Sequence, residues 1–414
     1  MPGQSKARVT SRRDKALWAL LAILAATWLL TWPLRAKMAR DTARFVRAVK
    51  ARAAMEAAAK KLAQNEAGAR SRVAAAPPDA SAHADLAEAL TAERKYAEAG
   101  QELQTALRLR PGDVALHDDL ALNYELRGEP DLEIEEFRKA LKLQPDNVEA
   151  VTLLAYRYLQ IGWIRPAERL LLSRKGLQDN PRVKLTLAQL YQDDHDYVAA
   201  ESELNSAHKL EPAMDLSGPF LDFYRASRRD ADALKLINAA MKTAPAGGPW
   251  LEERAQTELD LGDAASALRD AQQCRKRNPS DLRSLYIRAV AEKLLGQTAK
   301  ATSDLEKVHS GNPGDAQTLL QLGQLYLQQG NPQGQALIRQ YNAVRAESSS
   351  QEIAMNAVRS RPNDPSAHLA LAKRYFTQGN TALAIVELKE TLALRPGDPE
   401  AKLLLSKSLA EAGR

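Results

Sequence analysis

A single cysteine, Cys274, stands in 414 residues, so neither an intramolecular disulfide nor a multi-cysteine metal site can form. Aromatic residues make up only 5% of the chain, while Ala and Leu are abundant, which disfavours sheet and favours helix. Gly-rich phosphate loops, HExxH, GxSxG and Cys–His arrangements are all missing. No carboxylate pair stands out from the general charge of solvated helix faces. Catalysis, a bound cofactor and a resident metal are therefore not expected. Excess positive charge is also missing from most of the chain. The first 52 residues hold twelve Lys/Arg against Asp14 and Asp41, a net +10, so of the total +6 the remainder carries −4. That mildly acidic body argues against nucleic acid as a partner. The basic segment flanks an apolar run, where a membrane surface is the better match.

What is present begins with that run. Residues 16–34, ALWALLAILAATWLLTWPL, contain no charge. At the helical rise they reach about 28 Å, close to the hydrocarbon thickness of a bilayer. Trp18, Trp28 and Trp32 lie near its ends, where aromatic rings prefer the interface. The following TWPLRAKMAR is a poor cleavage site, and no cysteine follows to carry a lipid. The expectation is a basic tail over 1–15, a retained single-pass transmembrane helix over 16–34, and an Ala-rich helical stalk over 35–76 that Pro77-Pro78 ends. A sparse stripe of Met38, Phe45, Val46 and Val49 leaves homodimer pairing through the stalk open beside a solvated spacer. Charge counts pull both ways on topology. Keeping Lys6, Arg8, Arg12, Arg13 and Lys15 inside favours a body outside the cytoplasmic membrane. The seven cations from Arg35 to Arg52 favour the opposite.

Beyond the stalk the sequence repeats itself. LRLRPGD at 107–113, LKLQPDN at 141–147 and LALRPGD at 392–398 are near copies. Pro111 and Pro145, Pro245 and Pro279, Pro279 and Pro313, and Pro362 and Pro396 are each 34 residues apart. The interiors agree in register: Leu86, Ala87, Ala99, Leu103 and Ala106, then Leu120, Ala121, Tyr124, Phe137 and Ala140, then Leu371, Ala372, Tyr375, Ala384 and Leu388. Small residues sit where two helices cross closely and large ones fill the gaps between repeats. In this pattern the sequence resembles the tetratricopeptide family over roughly 80–412. The resemblance implies an all-α, right-handed superhelical solenoid of about eight to nine helix-turn-helix repeats, in which each repeat packs only on its neighbours. The repeats fall near 80–113, 114–147, 148–180, 181–213, 214–247, 248–281, 282–315, 316–347 and 365–398, with a polar capping helix after them. Those at 214–247 and 248–281 read as degenerate on the first helix. The stretch 331–364 does not fit one second helix, and Ser348–Ser350 reads as an irregular connection.

In that family the first helix of each repeat lines a concave face that binds other proteins. The positions that map there include Glu88, Asp118, Leu122, Glu125, Tyr156, Gln189, Gln192, Gln256, Tyr286, Gln324, Lys373 and Phe376, with Asp85 and Asp119 adding to the acidity of the first two repeats. Some members grip a C-terminal carboxylate there with Lys, Asn and Arg. Ala84, Glu88 and Leu122 depart from that clamp. The acidic pair Asp118 and Glu125 instead suggests a basic partner segment. His83, His117 and His368 share position 4 of their repeats and read as packing residues. Asp193-Asp194-His195-Asp196 falls at a helix–helix turn, where such residues cap and turn the chain. The expectation is a membrane-anchored scaffold for partner proteins, in the manner of bacterial envelope assembly factors. A self-associating or glycan-binding array remains the alternative.

Overall fold

A computed structural model describes residues 57–243 and 250–413, and every regular element among them is helical. The chain divides into two compact units, 1–109 and 110–414.

In the first unit, helix α1 covers described residues 57–75 and precedes the hairpin of α2 (Ala80–Ala92) and α3 (Tyr96–Leu109). Asp79 starts α2 by accepting from the Ser81 backbone N–H at 2.9 Å. Leu86, Leu90, Ala99, Leu103 and Ala106 form the buried seam between the two helices. α1 is seated on this hairpin rather than merely solvated. Ala69 is buried, and Glu66 accepts from Lys95 Nζ and Arg70 Nε, both at 2.6 Å. The Lys95 ammonium and Arg70 guanidinium hold the Glu66 carboxyl at about 2. The apolar run 16–34 and the stalk up to residue 56 lie outside the described residues. Among the described residues no helix is long and apolar enough to cross a membrane.

The second unit continues the hairpins: α4 (Val114–Arg127) with α5 (Pro130–Leu143), α6 (Val148–Gln160) with α7 (Ile164–Leu172), α8 (Pro181–Asp193) with α9 (Tyr197–Leu210), and α10 (Ser217–Ala226) with α11 (Asp230–Thr243). Then follow α12 (Trp250–Asp260) with α13 (Ala264–Arg277), α14 (Leu282–Leu294) with α15 (Thr298–Gly311), α16 (Ala316–Gln328) with α17 (Gln333–Ser360), and α18 (Pro365–Thr377) with α19 (Thr381–Leu394), before the final α20 (Pro399–Glu411). The repeated Pro-x-Asp/Asn explains most of the junctions between hairpins. Proline leaves the outgoing helix without a continuing N–H donor, and the acid or amide two residues later caps the next helix. Asp398 accepts from the Ala401 N–H at 2.9 Å and Asn147 from the Glu149 N–H at 3.0 Å. Within hairpins the turn residue is left-handed, with φ +70° at Gly128 and +73° at Gly296. His195 and Arg228 adopt that conformation without being glycine, at φ 61° and 59°.

Two features depart from the sequence reading. First, α17 runs unbroken for 28 residues straight through Ser348–Ser350, with no irregular connection there. Its start is fixed by a close approach: a Cβ on Gly334 would lie 2.8 Å from the Gly323 carbonyl oxygen of α16. Second, the repeats of this unit do not touch only their neighbours. Because α17 is twice the usual length, it carries the chain back, and α19 packs on α5. One core joins Ile134, Phe137, Ile161 and Trp163 to Leu371, Val386 and Leu388, residues more than 200 positions apart. Polar bonds fix the docking. Trp163 Nε1 donates to Glu387 Oε1 at 2.9 Å, and Lys389 Nζ meets Asp131 Oδ2 at 2.7 Å. A linear array has no such contacts, and the closure follows from one over-long helix.

α20 completes that core with buried Ala401 and with Leu404 and Leu405 packed against it. Deleting residues 398–414 is expected to uncover the α19 surface and lower the melting midpoint, by about 2 °C or more for each kcal/mol lost. An unchanged melting curve with full solubility would rule this out.

Candidate functional site

The residues that the sequence places on one concave face meet different fates. On α2, Asp85 and Glu88 are exposed, and Asp85 Oδ2 accepts from Arg72 at 3.0 Å. In the second unit Asp118 is buried and accepts from Asn147 Nδ2 at 2.6 Å, so it serves the joint between two repeats. Burial pushes its carboxyl up, and the Asn147 bond only partly opposes this. Asp119 is exposed beside it, Leu122 packs against the core, and Glu125 lies 3.3 Å from Arg157. Asp118 and Glu125 therefore do not form a free acidic pair, because one is a buried joint and the other already faces a cation.

Further along, Tyr156 is half exposed, Gln256 donates to Asp260 on its own helix at 3.0 Å, and Gln324 accepts from Lys293 at 2.8 Å. Lys373 is spent on Glu400 at 2.7 Å and Phe376 on the closure core. Tyr286 packs under α16, where burial pushes its hydroxyl up to about 12, with the Asp315 charge adding.

Gln189 is different. It lies on the wall of a cavity of about 910 Å³ that opens between α6, α8, α9 and α10 on one side and the C-terminal half of α17 on the other. Gln189 Nε2 donates to Asp193 Oδ1 at 2.9 Å along α8. Burial raises the Asp193 carboxyl, against the Gln189 bond and the charges of Arg359 and His195. Asp222, on α10, is raised in the same way by its surroundings, with Arg225 opposing. From α17 come Gln351, Glu352, Met355 and Arg359. Met355 closes the floor against Gly162, whose absent Cβ would sit 2.9 Å from the Met355 methyl. Gln192, one helical position before Asp193, is 7% exposed, and its amide opens to the cavity with no hydrogen-bond partner among the described residues. The walls offer hydrogen bonds and charge.

The Asp193–Asp196 run disperses. Asp193 faces the cavity, Asp194 lies 3.4 Å from Arg165, His195 makes the turn, and Asp196 caps α9 through the Ala199 N–H at 3.0 Å. The position-4 histidines do pack, and each has a partner 19 residues on: His83 with Glu102 at 2.6 Å, His117 with Glu136 at 2.7 Å and His368 with Glu387 at 2.6 Å. Each also meets the carbonyl of the proline six residues earlier. The sequence places Gln189 and Gln192 on the concave face, and it gives no role to Asp222, Glu352 or Arg359, which line the same cavity. Asp222 sits on a degenerate repeat, and the other two lie on a helix that the pattern had broken.

Residues 252–309 and 354–414 match the tetratricopeptide-repeat family, and the first match takes in residues 252–281 of the repeat that looked degenerate. No curated protein matches the sequence. Among solved structures, a tetratricopeptide repeat protein from Parabacteroides merdae is 15% identical, with 60% of this chain and 98% of that one covered at a TM-score of 0.50, a likeness of fold. Pseudomonas aeruginosa pilF is 19% identical over 50% of this chain and 94% of its own, with a TM-score of 0.41. A thermophilic repeat protein of Thermus thermophilus is 23% identical over 47% and 97%, with a TM-score of 0.29.

Proposed function

We propose that this protein is a non-catalytic scaffold, held at a bacterial cell membrane by residues 16–34, that docks a partner protein in the cleft between α8, α10 and α17. The cleft carries the reading. At about 910 Å³ it is at the upper end of ligand-sized cavities. Its polar groups converge from elements distant in sequence, and the closure of α19 on α5 holds α17 opposite α8. The chemistry on its walls suits recognition, and repeat proteins of this class generally act by binding other proteins. The uncharged 19-residue run and its Trp flanks support the anchor. The reluctance of a five-cation tail to cross the bilayer supports an extracytoplasmic repeat body.

A photo-reactive residue in place of Ser348, at the cleft rim, should give a discrete cross-linked protein from intact cells. The same residue in place of Ser280, outside the cleft, should not. Equal cross-linking at both positions would rule out the cleft as the docking face. For topology, alkaline phosphatase fused after Arg414 should be active. An inactive fusion, with a fluorescent cytoplasmic fusion at the same site, would place the repeats inside.

A further inference from the structure

We infer that the occupant of this cleft is an extended polypeptide segment that presents Lys or Arg side chains to Asp193 and Asp222 and a main-chain peptide group to Gln192. This rests on the docking reading above. The Gln192 amide is the most specific clue. A side-chain amide carries both a donor and an acceptor, and here the cavity wall presents them with no partner among the described residues, so a ligand can take both. What satisfies both at once is the main-chain N–H and C=O of one extended residue, which point to the same side of the strand and which every protein ligand supplies.

Charge sets the side chains. On the walls the carboxylates of Asp193, Asp222 and Glu352 outnumber the one guanidinium, Arg359. Asp193 has only the neutral Gln189 amide as its bonded partner, and no cation is bonded to the Asp222 carboxylate among the described residues. Partial desolvation makes each charge costly, and a cation from the ligand offsets that cost. A ligand rich in Asp or Glu is repelled.

The test uses full-length protein in detergent and three labelled fifteen-residue peptides, alike except for two central positions that are Lys, Gln or Glu, measured by fluorescence anisotropy. The Lys peptide is expected to bind about tenfold more tightly than the Glu peptide. The double variant D193N/D222N should bring the Lys peptide to the affinity of the Gln peptide. Q192M, close in size and apolar, should weaken all three alike while leaving the melting curve in place. Affinity for the Lys peptide should fall as pH falls, because a bound cation favours the ionised carboxylates and acid neutralises them. Equal affinity for Lys and Glu peptides, indifference to Q192M, or no binding of any peptide would each overturn the inference. If the peptides fail while the Ser348 cross-link persists, the occupant is wrong and the docking face stands. If both fail, the docking reading falls as well.

Discussion

Replacing Trp163 by Ala is expected to destabilise the second unit by about 3–5 kcal/mol and to loosen α18 to α20 together. Trp163 is 3% exposed at the turn between α6 and α7. Its ring lies 5.4 Å from Tyr158 and meets His368 edge-on at 5.6 Å. Its N–H reaches Glu387 Oε1, so the substitution removes a large buried ring and one donor to a buried carboxylate. A cavity at this place lies in the closure itself. The effect should therefore spread to helices that are 200 residues away in sequence but adjacent in space. Hydrogen exchange should rise across 365–411, and the melting midpoint should fall. Trp163→Phe, which keeps a ring and loses the N–H, should cost less than half as much. Exchange confined to α6 and α7, with α19 still protected, would show that α19 docks without Trp163.

The same closure marks the boundary of what could be read from the sequence. Hairpins were legible because each repeat states its own rules locally: small residues at the crossings, Pro-x-Asp at the junctions, and glycine at most left-handed turns. The return of α18 to α20 onto α5 and α7 was not legible, because nothing local announces it. Phe137 and Leu388 look like ordinary repeat residues, and only the length of α17 decides what they meet. Serine in a helix interior costs only a few tenths of a kcal/mol, so Ser348–Ser350 could not outweigh the packing around them. The site divided along the same line. Gln189 and Gln192 follow from repeat position alone. The opposite wall, with Glu352 and Arg359, follows from a helix that position-by-position matching interrupts. Asp118 shows the converse error. A residue in a groove register became a buried joint, because Asn147 of the next repeat stands within hydrogen-bonding distance.

The pair of His368 and Glu387 should make the closure weaken in alkaline solution, and Glu387→Gln should remove that dependence. Both ring nitrogens of His368 face acceptors, Nδ1 toward Glu387 Oε2 at 2.6 Å and Nε2 toward the Pro362 carbonyl at 2.9 Å, so both are satisfied only when the ring is protonated. Burial alone would push the imidazole down. The Glu387 hydrogen bond and charge, the Pro362 carbonyl and the nearby Glu390 outweigh it, and the group ends above its ordinary value of 6.5. A group raised in the folded state gives stability that is complete below the unfolded value and lost as pH rises through the folded one. The midpoint of the wild type should therefore fall as pH rises above about 6.5. His83 beside Glu102 contributes in the same direction in the first unit. The comparison with Glu387→Gln isolates the closure. Gln keeps an acceptor for Trp163 and removes the charge that holds the proton on His368. The variant should be least stable relative to wild type in mild acid, and the gap should narrow as pH rises. Glu387→Ala, which strips a buried pair of one member and leaves the Trp163 N–H unpaired, should cost about 3–5 kcal/mol in mild acid. A gap between wild type and Glu387→Gln that stays constant or widens toward alkaline pH would mean that the closure holds His368 neutral.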